Sequence, residues 1–292
     1  MASAGDVRSR QLGVALVAAS AICWSTAGLF VRVANLDSAT LIFWSSVSAC
    51  LALLIICAAQ VRGELIRQIS IIGTPEILYI FISTLNTTSY VIALNSTSVA
   101  NVMTIYASLP FAATIAAFFL LKERVSKRFL LSGGTAMLGV AITAGAVGTA
   151  NDIFGLIAAF MMTSCFAVQL VLAKRYPKMD ILLITALSAG VSAVLFLPFA
   201  DLVSSTRTQL LGGVLYGIIP LAVGLPLVLA GGRRVKSGEA AFITMLDVVL
   251  GPIWVWLFFG ERPTDYALVG GAIVLGSVGW YLSKETEPST VS

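Results

Sequence analysis

The fold is decided by two stretches of sequence, SVANVMTIYASLPFAATIAAFFLLKERVSKRFLLSGGTAMLG from Ser98 to Gly139 and SGEAAFITMLDVVLGPIWVWLFFGERPTDYALVGGAIVLG from Ser237 to Gly276. Each begins with small polar residues and continues in a long apolar run. Each then reaches a Glu-Arg pair, makes a short polar turn and starts a second apolar run with GGxxxLG. Two copies of one plan indicate an internal duplication.

The composition places this duplicated chain in a membrane. Hydrophobic residues make up 58% of it and charged residues 11%, and the mean hydropathy is +0.97. A soluble domain of this size could not bury so much apolar surface. The four cysteines lie inside apolar runs, where a thiol behaves as a small hydrophobe. We therefore expect no disulfide framework and no metal site.

Ten apolar runs are each long enough to cross a hydrocarbon layer about 30 Å thick. The first is longer than the apolar core of a cleavable signal peptide, so we expect it to be retained. The sequence predicts an all-α integral membrane protein with ten transmembrane helices. The runs are 12–33, 40–61, 77–94, 99–121, 129–146, 153–173, 181–199, 210–230, 238–259 and 266–282.

The positive charges predict the orientation of these helices. With a cytoplasmic N-terminus, fifteen of the eighteen Lys and Arg residues fall in inner segments, and the outer loops hold Arg32, Arg207 and Arg262. Because basic residues are retained on the cytoplasmic side, both termini should be cytoplasmic. The net charge of +4 therefore reflects topology and does not indicate a nucleic-acid partner. We expect a multi-pass protein of a bacterial-type inner (plasma) membrane, with lipid as its surroundings.

The duplication extends over both halves of the chain. Placing Gly13 on Gly155 aligns Cys23 with Cys165 without a gap. This predicts two five-helix repeats, residues 12–148 and 153–282, which together form one transmembrane domain. Since five is an odd number, the repeats must insert with opposite orientation. Inverted repeats typically carry a substrate site near the membrane midplane that opens to alternate sides, so the arrangement favours a transporter.

A helix, a Glu-Arg turn and a GGxxxLG helix at the end of each five-helix unit resemble the EamA-type members of the drug/metabolite transporter superfamily. The chain is most similar to the YddG-type aromatic amino-acid exporters of that group. The resemblance covers Gln11 to Leu282. It implies the export of amino acids, other metabolites or drug-like cations.

Polar and aromatic residues in four predicted helices are candidates for a substrate cavity. In the third helix they recur at the spacing of one helix face, and a polar face is costly against lipid. The other interpretation is that these side chains make hydrogen bonds between helices or, for the tryptophan, fill the core. The candidates are Trp24, Tyr79, Ser83, Asn86, Tyr90, Asn101, Thr104, Tyr106, Ser108 and Asp247.

Asp247 is the acidic residue that lies well inside an apolar run, about ten residues into the ninth predicted helix. A charge at this depth costs about 2.5–3.5 kcal/mol on insertion scales. One hypothesis is that Asp247 couples transport to protons or binds a substrate ammonium group. The alternative is a protonated side chain whose hydrogen bonds hold two helices together.

Two further groups of residues have predicted structural roles. Glu123, Arg124, Glu261 and Arg262 lie at helix ends, where we expect them to act as caps or ion pairs of the turns. Helix-breaking residues predict kinks or hinges, with the eighth helix the most strongly marked. These residues are Pro110, Gly217, Pro220, Gly224, Pro226 and Pro252.

Other function classes fit less well. The chain has no histidine and too few buried acids for a carboxylate pair, so we do not expect an enzyme. No P-loop is present, and we expect no cofactor. The prediction is a secondary-active exporter of aromatic and other neutral or zwitterionic amino acids and related metabolites, working by alternating access on a small-molecule substrate. The alternative is a carrier of the same fold for a nucleotide sugar, a lipid or a cationic drug.

Overall fold

A computed structural model describes residues 4–61, 72–122, 127–144, 149–232, 234, 243–244 and 246–285. Within these ranges all regular secondary structure is helical. The helices are α1 (Ala4–Ser25), α2 (Ala27–Ala34), α3 (Ser38–Val61), α4 (Thr74–Ser96), α5 (Val99–Tyr106), α6 (Leu109–Leu121), α7 (Lys127–Ala144), α8 (Ala150–Arg175), α9 (Ile181–Phe196), α10 (Arg207–Tyr216), α11 (Leu225–Gly232), α12 (Leu246–Phe259) and α13 (Asp265–Glu285).

Polar residues mark where several helices begin. The side chains of Ser98, Thr149, Asp180 and Thr206 each accept a hydrogen bond from a backbone N–H in the first turn of the following helix. Such caps satisfy donors that have no partner within the helix, and each contributes about 1 kcal/mol. Short polar segments thereby separate the long apolar ones.

Three helical segments are irregular in their interior. A break at Thr26 separates α1 from α2, and α5 meets α6 at an angle of 40°. Between α10 and α11 the chain forms a π-helix, Gly217–Gly224, which contains Pro220. A proline removes one backbone donor, and π-helical turns occur frequently at functional sites.

Six of the described helical segments are long and apolar enough to cross a membrane, and a seventh is added if the bent pair α5 and α6 counts as one span. Three shorter apolar helices lie at Leu131–Thr143, Leu246–Phe259 and Asp265–Trp280. A helical membrane bundle is therefore confirmed. The full count of ten spans, the inverted insertion and the cytoplasmic termini stay predictions.

The two halves of the chain are interleaved in this bundle. Helix α4 packs on α8, α7 on α13 and α3 on α9, so that each of these pairs joins the first half to the second. The main apolar core also draws on both halves, with Leu94 and Val102 from one and Val255 and Val274 from the other. Movement between the halves would have to slide or tilt these helices against each other.

The GGxxxLG segments of the two halves meet in the contact between α7 and α13. A Cβ added to Gly139 would lie 2.6 Å from the carbonyl oxygen of Gly270, closer than real Cβ contacts allow. One turn away, the hydroxyl groups of Thr135 and Ser277 are 2.8 Å apart and share a hydrogen bond. Small residues that let two backbones approach closely are typical of helix contacts in membranes.

Candidate functional site

The predicted polar face of the third helix lies on α4 and points towards the second half of the chain. Tyr79 is buried and packs with Leu172 and Ile184. The Ser83 hydroxyl lies 2.9 Å from that of Ser188 on α9, and the two share a hydrogen bond. This end of the face is thus occupied by contacts between helices.

Asn86 continues this face and meets a glutamine on α8. Its Nδ2 donates a hydrogen bond to Gln169 Oε1 at 3.4 Å. The Oδ1 atom of Asn86 and the Nε2 atom of Gln169 are both buried and have no partner among the described residues. The pair therefore offers one acceptor and one donor to a further group.

Aromatic rings from both halves lie next to this amide pair. Tyr90, one turn after Asn86, has its ring centroid 6.4 Å from that of Tyr216 on α10. Tyr106 stacks on Phe166 of α8 with centroids 6.2 Å apart. The hydroxyl group of Tyr216 is buried and has no hydrogen-bond partner in the described part of the chain.

Asp247 on α12 completes the group. Its side chain is buried, and its Oδ1 atom has no hydrogen-bond partner among the described residues. Helix α12 packs on α5, and the next residue, Val248, belongs to the same apolar core as Tyr216, with Tyr90 and Tyr106 packed against that core. We name these residues the central cluster: Asn86, Tyr90, Tyr106, Phe166, Gln169, Tyr216 and Asp247.

Two helix irregularities begin directly after members of the central cluster. Tyr106 is the last residue of α5 before the bend, and Tyr216 is the last residue of α10 before the π-helix. Trp24 lies beside the break at Thr26, and its indole packs against Gly224 at the other end of the π-helix. Discontinuous helices in transporters commonly line the substrate site near the membrane midplane.

The other predicted cavity residues make hydrogen bonds to residues three or four positions before them in sequence. Asn101 Nδ2 donates to Thr97 Oγ1 at 3.0 Å. The hydroxyl groups of Thr104 and Ser108 donate to backbone carbonyls of the turn before them, at 2.9 and 2.6 Å. A role in substrate contact stays a prediction for all three residues.

Three members of the central cluster were not among the candidates from sequence: Phe166, Gln169 and Tyr216. Phe166 and Gln169 lie three residues apart, so they share a face of α8. A polar residue and an aromatic residue at this spacing in an apolar run would have been a usable signal. Tyr216 stands alone in its helix, but it directly precedes a glycine and proline segment that predicts a kink.

At one end of the bundle, Arg32 of α2 reaches across to Glu261, which follows α12. Arg32 Nε donates to Glu261 Oε2 at 2.8 Å, and Nη2 donates to Oε1 at 3.3 Å. The guanidinium also donates to the carbonyls of Leu94 and Thr97, at 2.6 and 3.1 Å. Glu261 Oε1 in turn accepts from the backbone N–H of Val99 at 3.1 Å. We call these five residues the latch.

The latch shows the contacts of Glu261, one of the two predicted turn residues in the second half of the chain. Glu261 binds Arg32 from the other half and the start of α5, whereas its neighbour Arg262 is exposed. Glu123 and Arg124, the predicted counterparts in the first half, lie outside the described residues. The structural turn role therefore stays a prediction for that pair.

The predicted kink residues have varied surroundings. Gly217, Pro220 and Gly224 belong to the π-helix. Pro226 lies in α11 and Pro252 inside α12, while Pro110 lies in the first turn of α6, just after the bend. Whether any of them acts as a moving hinge stays a prediction.

Among the described residues, no three or more His, Cys, Asp or Glu side chains are grouped so that they could hold a metal ion.

A bundle of apolar helices with interleaved halves, and polar and aromatic side chains converging in its interior, defines a membrane protein of the transporter class. The profile of the EamA-like transporter family matches the chain twice, over residues 11–145 and 151–283. The chain belongs to this family.

One transporter and one solved structure are similar to the chain over most of its length. An uncharacterized transporter of Archaeoglobus fulgidus is 26% identical over 276 residues, covering 93% of this chain and 96% of that protein. A protein of known crystal structure with 18% sequence identity superposes with a TM-score of 0.65, covering 94% of this chain and 96% of the other. At this identity the likeness shows the fold alone.

Proposed function

We propose that the chain exports amino acids, both aromatic and other neutral or zwitterionic ones, and related metabolites across the inner membrane by alternating access. The observation that carries this proposal is the central cluster. Both halves contribute to it, two helix irregularities begin directly after its members, and it combines aromatic rings with unpaired donor and acceptor groups. A substrate bound between the halves would be exposed to alternate sides of the membrane as one half tilts against the other.

The latch supports alternation between two states. It closes the bundle at the end where α2, α4 and α5 meet the turn after α12, and it does so with side chains from both halves. An opening at this end must break an ion pair and several hydrogen bonds. The charge pattern predicts that this is the outer end, so the closed latch corresponds to a state from which substrate would enter on the inner side.

The charge of the central cluster indicates which class of substrate the site favours. Asp247 is its one ionisable acid, and none of its members is a Lys or Arg. An acidic site disfavours anionic substrates such as nucleotide sugars, because like charges in a low-dielectric site repel strongly. It suits zwitterions and also cations, so a carrier of cationic drugs is the second candidate.

Counterflow in proteoliposomes tests the proposal. Liposomes with purified protein are loaded with unlabelled phenylalanine, and uptake of labelled phenylalanine, threonine, glutamate, a lipophilic cation and a nucleotide sugar is followed. We expect uptake of phenylalanine and threonine above that of protein-free liposomes. Uptake of the lipophilic cation alone would favour the second candidate. Uptake of the nucleotide sugar alone would contradict both.

A further inference from the structure

The carboxyl group of Asp247 is buried, and its Oδ1 atom has no hydrogen-bond partner among the described residues. Asp247 is 7% exposed, and no described Lys or Arg forms a salt bridge with it. Val248, the next residue of α12, lies in the apolar core that contains Tyr216 and against which Tyr90 and Tyr106 pack, and the Tyr216 ring lies beside that of Tyr90. The carboxyl group of Asp247 also interacts with the backbone N–H of Val248.

A buried carboxylate without a counter-ion is costly, and a cation that enters the site removes that cost. Aromatic faces attract cations in addition, by about 2 kcal/mol or more where water is excluded. A buried acid with an unpaired oxygen, next to a core that holds three tyrosine rings, therefore favours a small cation that can also donate hydrogen bonds. An ammonium group has these properties.

We infer that Asp247 binds the ammonium group of the transported substrate, with the rings of Tyr90 and Tyr106 beside it, and that the substrate class is primary amines, including amino acids. This inference rests on the proposed function and names the chemical group that the same site selects. A neutral metabolite without an amine is outside the class.

The amide pair provides the place for the other end of an amino acid. Asn86 lies one turn, about 6 Å of helix, before Tyr90, and Gln169 lies three residues after Phe166. The unpaired Nε2 of Gln169 and the unpaired hydroxyl of Tyr216 can both donate hydrogen bonds to a substrate carboxylate. They supply hydrogen bonds without a formal charge, so the carboxylate is tolerated and not required.

Proton coupling through Asp247 is the competing role for the same carboxyl group. The two roles differ in exchange at equal pH on both sides of the membrane. A residue that only carries protons is not needed for one-for-one exchange of substrate. A residue that binds the ammonium group is needed for every cycle, with or without a pH gradient.

The test is counterflow at equal pH with two kinds of comparison. The unaltered protein is offered labelled phenylalanine, phenethylamine and N-acetylphenylalanine, which differ in the ammonium and carboxylate groups. In parallel, Asp247→Asn is compared with Asp201→Asn. Asp201 lies in the exposed loop between α9 and α10, and hydrogen bonds from the side chain and backbone of Ser204 and the backbone of Val203 lower its pKa to about 2. It is a charged control, because a carboxyl group with this pKa stays ionised at neutral pH.

We expect exchange of phenylalanine and phenethylamine but not of the N-acetyl compound. We expect Asp247→Asn to reduce phenylalanine exchange about tenfold or more, and Asp201→Asn to leave it unchanged. Equal exchange of N-acetylphenylalanine, or full exchange by Asp247→Asn, would overturn the inference while leaving amino-acid transport intact. Because the first comparison uses the unaltered protein, equal exchange of N-acetylphenylalanine would overturn the inference even if Asp247→Asn does not fold. Absence of exchange for every amine would overturn the proposed function, and this inference with it.

Discussion

The guanidinium of Arg32 and the carboxylate of Glu261 form a bidentate ion pair that joins the halves of the bundle. The two residues are 229 positions apart in sequence. The side chains are 24% and 27% exposed, and an isolated pair at such exposure contributes at most about 1 kcal/mol. This pair has further partners, however. Arg32 binds two carbonyls at the end of α4, and Glu261 binds the first N–H of α5.

Replacing Glu261 by Gln should open this end of the bundle more often. The substitution keeps the shape of the side chain but removes the charge that holds Arg32. Hydrogen bonds to charged groups contribute about 1.5–3 kcal/mol, so the open population should rise about ten- to hundredfold. The measurement is the rate at which an impermeant maleimide labels Ala100→Cys, a position that is 8% exposed at the start of α5.

The matched control for the latch is Arg262→Gln, which removes a charge from the neighbouring exposed residue. We expect its labelling rate to equal that of the unaltered latch. The same chains without Ala100→Cys give the background from the four native cysteines. Equal labelling of Glu261→Gln and Arg262→Gln would mean that the latch does not control access at this end.

The sequence predicted a helical membrane bundle, because an apolar run is a local feature, while the count of ten spans stays a prediction. Runs of apolar residues predict helices, and the described helices overlap those runs, with runs 12–33 and 99–121 each divided into two helices. The partner of Glu261 was not predictable in the same way. Local spacing suggested a cap or pair within its turn, whereas the structure brings in a residue from the other half. A contact over such a distance depends on how the helices pack.

The central cluster likewise contains residues that local sequence predicts and residues that it does not. Asn86 and Tyr90 could be grouped because they repeat on one helix face, and Asp247 because a buried acid is costly. Tyr216 has no such local mark, and only the packing of α10 against the first half places it beside Tyr90. Periodicity in one helix identifies a polar face. It does not identify the helix that the face meets.

Gly270→Ala should destabilise the contact between α7 and α13. An added methyl group would overlap the carbonyl of Gly139 and the hydroxyl of Thr143, and such overpacking costs about 1–3 kcal/mol. Thermal unfolding in detergent measures the loss. Gly276→Ala on the same helix is the control, since nothing lies within 4 Å of its added Cβ. It should unfold at the same temperature or slightly higher. If both variants unfold alike, the two backbones are not in close contact.

Pro220→Ala tests whether the π-helix moves during transport. An alanine restores the missing backbone donor, and a proline inside a helix costs about 3 kcal/mol relative to alanine. We therefore expect equal or higher thermal stability together with slower counterflow, because a straighter helix resists bending. Pro198→Ala, in the short 3₁₀ turn Leu197–Phe199 after α9, should change neither property. Unchanged counterflow in Pro220→Ala would mean that the π-helix is a static kink.

The orientation of the bundle can be tested with cysteines in two loops that the charge pattern places on opposite sides. Val203, which is 94% exposed in the loop between α9 and α10, should be outside. Lys178, which is exposed between α8 and α9, should be inside, because basic residues are retained in the cytoplasm. In intact cells an impermeant maleimide should label Val203→Cys and leave Lys178→Cys unlabelled until the membrane is opened. The chain with its native cysteines alone gives the background. The reverse pattern would place the latch on the cytoplasmic side and reverse the predicted direction of opening.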